Sequence, residues 1–98
     1  MNMHDRRFEL RTRHEEAVDL CWENHLGQTQ HATAQLVDIS PSGASVDAQR
    51  PVRAGAMLSL SYHNQKLIGK VMHCALQGSG YRLGVELQAG YRWSPRQQ

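Results

Sequence analysis

Residues 56–76, AMLSLSYHNQKLIGKVMHCAL, carry the pattern that decides the fold class. Leu58, Leu60 and Tyr62 occupy every second position of the first part, which is the period of a half-buried β-strand. The pair Asn64–Gln65 then predicts a tight turn before a second strand that runs back along the first. The stretch therefore predicts an antiparallel β-hairpin.

Similar patterns on both sides of this hairpin predict further short strands, separated by turn-forming residues. The predicted strands cover residues 15–26, 29–39, 43–48, 56–63, 66–76 and 81–87. Six short strands with turns at close intervals are typical of a small antiparallel barrel or sandwich. A barrel is favoured because closure removes exposed strand edges, which a small core could not cover. We therefore expect an all-β fold, a six-stranded antiparallel β-barrel.

The size and composition indicate one small domain. A chain of 98 residues supports one core. We expect a flexible arginine-bearing arm at residues 1–14, the barrel at 15–88 and a short C-terminal tail at 89–98. Cys21 and Cys74 are far apart and form no CxxC motif, which favours a reducing cytoplasm. No run approaches the roughly 20 apolar residues of a membrane span, so we expect a cytoplasmic protein without membrane insertion.

The first candidate binding motif is RRFELR at residues 6–11. Arg7 and Arg11 would share a face in a helical turn and also in an extended segment, so their guanidinium groups can converge in either conformation. A guanidinium group binds phosphate with two hydrogen bonds, pairs with O6 and N7 of guanine and stacks on a purine. The alternative is a solvated basic arm, since charge clusters near termini are common.

The second candidate motif is DISPSG at residues 38–43, where a predicted strand runs into a turn. Asp38 could accept hydrogen bonds from N1 and N2 of a guanine, and Ser40 could donate one to a phosphate or a base. Gly43 tolerates positive φ and lets a ligand approach the backbone. The alternative is a purely structural turn, because these residue types make up most turns.

Taken together, the two motifs resemble those of the PilZ family of bacterial cyclic di-GMP receptors. The Arg-x-x-x-Arg motif is complete at Arg7 and Arg11, and the Asp-x-Ser-x-x-Gly motif at Asp38, Ser40 and Gly43. The segments GASV, GKVMH and YRLGVEL are similar to PilZ segments in the same order. This resemblance implies a six-stranded barrel whose N-terminal arm folds over the rim and traps cyclic di-GMP against the turn.

The resemblance also implies a stoichiometry and a role. In the family, an arginine just before the first motif arginine favours a stacked pair of ligand molecules, and Arg6 occupies that position here. We therefore expect Arg6 to contact the ligand and two cyclic di-GMP molecules to bind each protomer. The expected role is that of a stand-alone adaptor that acts on an unidentified downstream protein in motility, adhesion or exopolysaccharide production.

Other functions have less support in the sequence. No nucleophile–base motif or carboxylate pair is recognisable, and His73 beside Cys74 lacks metal-ligand spacing, so we expect neither an enzyme nor a metal site. A barrel that binds single-stranded nucleic acid would need exposed aromatic platforms, and only 6% of the residues are aromatic, so DNA and RNA are not expected partners. The remaining alternative is a PilZ-like protein-interaction module that does not bind nucleotide.

Overall fold

The structure is a computed structural model that describes the backbone of residues 12–88 and the side chains of residues 16–88. Six strands form one closed antiparallel barrel in the order β1-β2-β3-β6-β5-β4, which confirms the predicted all-β barrel. The strands are β1 Thr12–Glu23, β2 Thr29–Ser40, β3 Gly43–Ala48, β4 Met57–Tyr62, β5 Gln65–Gln77 and β6 Gly80–Leu87. Residues 12–14 thus belong to β1 and not to the predicted arm.

Alternating side chains of all six strands fill the barrel interior. In β1 the inward residues are Val18, Leu20 and Trp22, which alternate along the strand, and in β5 Leu67 is buried whereas Ile68 is half-buried. Burying one such aliphatic side chain stabilises the fold by roughly 1.5–3 kcal/mol. The fully buried aliphatic side chains are Leu20, Leu36, Ile39, Val46, Val52, Leu60, Val71, Leu83, Val85 and Leu87. The core therefore forms one continuous cluster inside the barrel.

A β-bulge at Val37 changes which residues of β2 face the core. Leu36 pairs with Val46 of β3 whereas Asp38 pairs with Ser45, so Val37 is an extra residue on β2. The inward positions consequently shift from Leu36 to Ile39, and both side chains are completely buried. Because of this shift Asp38 is directed to the outer surface of the barrel while its neighbour Ile39 fills the core.

The hairpin between β4 and β5 differs from the prediction by one residue. His63 and Asn64 occupy the turn with φ values of 49° and 62°, and Gln65 already pairs with Tyr62. Positive φ at both turn positions is typical of a type I′ hairpin turn. The predicted Asn64–Gln65 turn was therefore wrong by one residue, because the register that pairs buried Leu60 with buried Leu67 leaves His63 and Asn64 in the turn. Nε2 of His63 lies 2.7 Å from Oε2 of Glu16.

Candidate functional site

The strand register places the start of β1 beside the end of β2. Thr12 is the partner of Ile39, and Arg13 is the partner of Asp38. Asp38 also pairs with Ser45 on its other side, so it lies on the middle strand of three. The first residue of β1, Thr12, therefore lies next to the Asp-x-Ser-x-x-Gly turn.

The six predicted site residues divide into two groups. Asp38, Ser40 and Gly43 are brought together at the end of the β2–β3 hairpin. The three arginines, Arg6, Arg7 and Arg11, lie outside the residues that the structure describes, and so do the ligand contacts predicted for them.

The turn between β2 and β3 is a tight and largely buried structure. Ser40 and Gly43 are paired residues, and the hydroxyl of Ser40 donates a hydrogen bond to the carbonyl oxygen of Gly43 at 3.3 Å. The carbonyl oxygen of Ser42 accepts a hydrogen bond from the amide of Leu87 at 2.9 Å, which ties the turn to β6. Ser40 is completely buried. Its hydroxyl therefore shapes the turn, and the outward side chain at this hairpin end is that of Asp38.

An ion pair lies on the outer surface next to Asp38. Arg82 of β6 is directly opposite Asp47 of β3, and its Nε and Nη2 donate to the two carboxylate oxygens, with 3.2 Å between Nη2 and Oδ2. The hydrogen bond that Arg82 donates to Asp47 is the main cause that raises the pKa of Arg82, and the negative charges of Asp47 and Asp38 add to it against the effect of burial. This pair fixes the plane of a guanidinium group near Asp38.

Sequence analysis missed this ion pair because it depends on strand order. Asp47 and Arg82 are outward positions of two predicted strands, and their opposite charges were the available signal. Whether two such strands are neighbours in a barrel cannot be read from the strand pattern. The pairing of β3 with β6 supplied the missing information.

Away from the β2–β3 turn, the described part of the barrel has surface grooves. One groove of about 550 Å³ runs beside β1 and β4 and is lined by Trp22, Arg53, Met57 and Ile68, among others. It contains none of the motif residues of the β2–β3 turn.

Within residues 16–88, no cluster of three or more His, Cys, Asp or Glu side chains could hold a metal ion. The part of the chain that the structure describes also contains no helix with the length and apolarity needed to cross a membrane.

Comparison with protein families shows a match over most of the chain. The family model for the PilZ domain matches residues 5–91, a range that includes both motifs and all six strands. A comparison with curated proteins found no match. PilZ domains are binding and adaptor modules, and the family is in general one of cyclic di-GMP receptors, although some members do not bind nucleotide. On this match and on its closed six-stranded barrel, the chain belongs to the PilZ domain family.

Proposed function

We propose that this chain is a stand-alone cyclic di-GMP receptor that binds its ligand at the β2–β3 turn and transmits binding to a partner protein. The observation that carries the proposal is the register of β1 and β2, in which Thr12 lies opposite Ile39. Arg11 directly precedes Thr12, so the Arg-x-x-x-Arg segment joins the barrel beside the second motif. This proximity supports a single site built from both motifs.

The residue types match the groups of the ligand. Cyclic di-GMP has two phosphates and two guanines, and each guanine has acceptors at O6 and N7. Arg7 and Arg11 provide guanidinium groups that bind phosphates or these acceptors with paired hydrogen bonds. The short turn ending at Gly43 lets the ligand approach the backbone, since glycine has no side chain in the way.

Asp38 provides the basis for choosing guanine over adenine. An ionised carboxylate can only accept hydrogen bonds, and guanine offers two donors, N1–H and the N2 amino group, on one edge. Adenine has an acceptor at N1 instead, which would face the carboxylate without a proton between them. The bulge at Val37 directs Asp38 outward, where such an edge can reach it. We therefore expect selectivity for cyclic di-GMP over cyclic di-AMP.

Ligand binding would act on a partner through the N-terminal arm. Ordering a free segment costs about 1–2 kcal/mol per residue, and charge-assisted hydrogen bonds to two phosphates can offset this cost. A newly ordered arm changes the surface offered to another protein. The expected partners act in motility, adhesion or exopolysaccharide production. The free thiols of Cys21 and Cys74 are compatible with a cytoplasmic setting.

Isothermal titration of the purified protein with cyclic di-GMP tests the proposal. Cyclic di-AMP and GTP serve as controls for the base and for general anion binding. We expect a saturable heat with cyclic di-GMP alone. No heat from a protein that circular dichroism shows to be folded would contradict the receptor function and favour the protein-interaction module.

Replacing Arg6 with leucine is expected to halve the number of ligand molecules bound per protomer, from two to one. The reason is that Arg6 occupies the position that favours a stacked ligand pair in the family. The stoichiometry of the same titration measures this change. Arg53→Leu is a matched control, because it removes the same charge from an exposed loop. An unchanged ratio in the Arg6 variant would rule out the stacked pair.

A further inference from the structure

Strand β5 continues well past the start of its neighbour β4. The first residue of β4, Met57, pairs with Lys70, whereas β5 runs on to Gln77. The loop before β4 forms hydrogen bonds with the next residue of β5, Val71. Further along, residues 73–77 pair with β6 on one side, and in the described part of the chain no backbone hydrogen bond reaches their other side. This stretch of β5 is therefore a strand edge that no described residue covers.

The β5–β6 turn shows which backbone groups face this edge. Gln77 and Gly80 flank a two-residue turn, so their backbone groups hydrogen-bond to each other. Hydrogen-bonded positions alternate along an antiparallel pair, so Ala75 also faces β6. The backbone groups of Cys74 and Leu76 consequently point away from β6. Each of these two residues offers one donor and one acceptor to a further strand.

The space beside this edge is one strand wide. In the barrel β4 lies between β1 and β5, and β1 ends at Glu23, level with the start of β4. A cavity of about 280 Å³ lies beyond the start of β4 and is lined by Cys74 on one side and by residues 23–25 on the other. We call this space, between residues 73–77 and residues 23–25, the β4 gap. A single extended segment fits it, whereas the paired β5 and β6 strands of a second copy would need the width of two strands.

The β4 gap has an apolar floor and a basic rim. Trp22 and Val52 line the gap, and both side chains are buried in the core. Arg53 also lines it, and Arg50 lies over the Trp22 ring, with 5.3 Å between its Cζ and the ring centroid. The two guanidinium groups outweigh the carboxylate of Glu23. Apolar side chains and acidic side chains together complement such a surface.

We propose that the β4 gap binds an extended segment of a partner protein, which adds to the edge of β5 as a further strand. Alternate side chains of a strand point to opposite faces, so aliphatic residues of the partner face Trp22 and Val52, and acidic residues between them lie near the arginines. The gap is at the end of the barrel opposite the β2–β3 turn. Strand β6 starts beside the gap at Gly80 and ends at Leu87, whose amide bonds to Ser42 of that turn. The partner site therefore does not depend on the proposed ligand site.

The sequence of the edge and of the chain termini favours a partner protein as the occupant. Strand edges that stay unpaired usually carry a lysine or a proline, and residues 73–77 contain neither. The chain's own segment at residues 89–98 contains Arg92 and Arg96 and no acidic residue. Its charge has the same sign as the rim of the β4 gap. An acidic segment of another protein has the opposite sign.

Selection of random peptides displayed on phage against the purified protein tests the proposal. We expect enrichment of peptides in which aliphatic residues alternate with aspartate or glutamate. These peptides should bind Leu76→Pro about tenfold more weakly than the wild type, because proline has no amide hydrogen for the added strand. The fold should persist, since the lost amide faces away from β6. Leu76→Ala is the matched control, because it shortens the same exposed side chain, keeps the amide and should bind nearly as well as the wild type.

Reversal of charge tests the basic rim separately. Arg53→Glu should weaken binding of the selected acidic peptides about tenfold. Lys66→Glu is the matched control, because Lys66 is also exposed but lies opposite Ser61, near the other end of β4. It should leave the affinity nearly unchanged. Equal losses in the two variants would overturn the assignment of the acidic residues to the rim of the β4 gap.

Amide hydrogen exchange followed by NMR reports on the edge itself. In the free protein the amides of Cys74 and Leu76 should exchange much faster than that of Ala75, and a selected peptide should slow both. Slow exchange of the two amides without peptide would overturn the proposal, because the chain itself would then cover the edge, or a second copy if the protection increases with protein concentration. Failure to enrich such peptides, or equal binding to the wild type and Leu76→Pro, would also overturn it.

Discussion

Replacing Arg7 or Arg11 with alanine is expected to weaken cyclic di-GMP binding by about 2 kcal/mol or more, roughly 30-fold, because each variant leaves an anionic group of the ligand without its charged partner. The free energy of unfolding should hardly change, since both arginines precede the first strand of the barrel. Titration calorimetry measures the affinity, and chemical denaturation measures the stability.

Arg53→Ala is the control for charge. Arg53 is exposed in the loop between β3 and β4, and its replacement lowers the net charge of +2 by the same amount. It lines the groove beside β1 and β4, away from the motif turn. Equal affinities for the wild type, Arg7→Ala and Arg11→Ala would show that the N-terminal arm does not bind the ligand.

Leu36→Ala is expected to lower the free energy of unfolding by about 2–5 kcal/mol, because it removes buried methyl groups and leaves a cavity. Leu36 is 0% exposed and lies next to the bulge that directs Asp38 outward. Leu26→Ala makes the same chemical change in the β1–β2 loop, where the side chain is 68% exposed. It should have little effect on stability.

Urea denaturation of the two leucine variants measures the difference directly. We expect a lower free energy of unfolding for Leu36→Ala and an unchanged one for Leu26→Ala. Equal midpoints for the two variants would mean that the interior of the barrel is not packed around Leu36.

Much of the barrel was predictable from the sequence because most strands are half-buried. The alternation in β1 and β4 gave the correct inward side chains, and the turn residues separated the strands at nearly the right places. The bulge at Val37 was not predictable, because it arises only where two residues of β2 lie opposite one residue of β3. The position of the β4–β5 turn likewise depended on the register of the two strands, in which Leu60 lies opposite Leu67.

The candidate site was predictable only in part. The residues of the two motifs identified the β2–β3 turn, and the structure brings Asp38, Ser40 and Gly43 together there. The Asp47–Arg82 ion pair required the neighbours of β6, because Arg82 meets Asp47 only when β6 lies beside β3. Strand order of this kind is a property of barrel closure and leaves no local pattern in the sequence.

The most direct test of the account is a titration of isotope-labelled protein with cyclic di-GMP, followed by the amide resonances in two-dimensional NMR spectra. We predict saturable shifts at residues 38–45, with the β1–β2 loop at residues 24–28 unchanged. The absence of shifts at saturating ligand, or shifts confined to the groove around Trp22 and Met57, would contradict a cyclic di-GMP site at the β2–β3 turn.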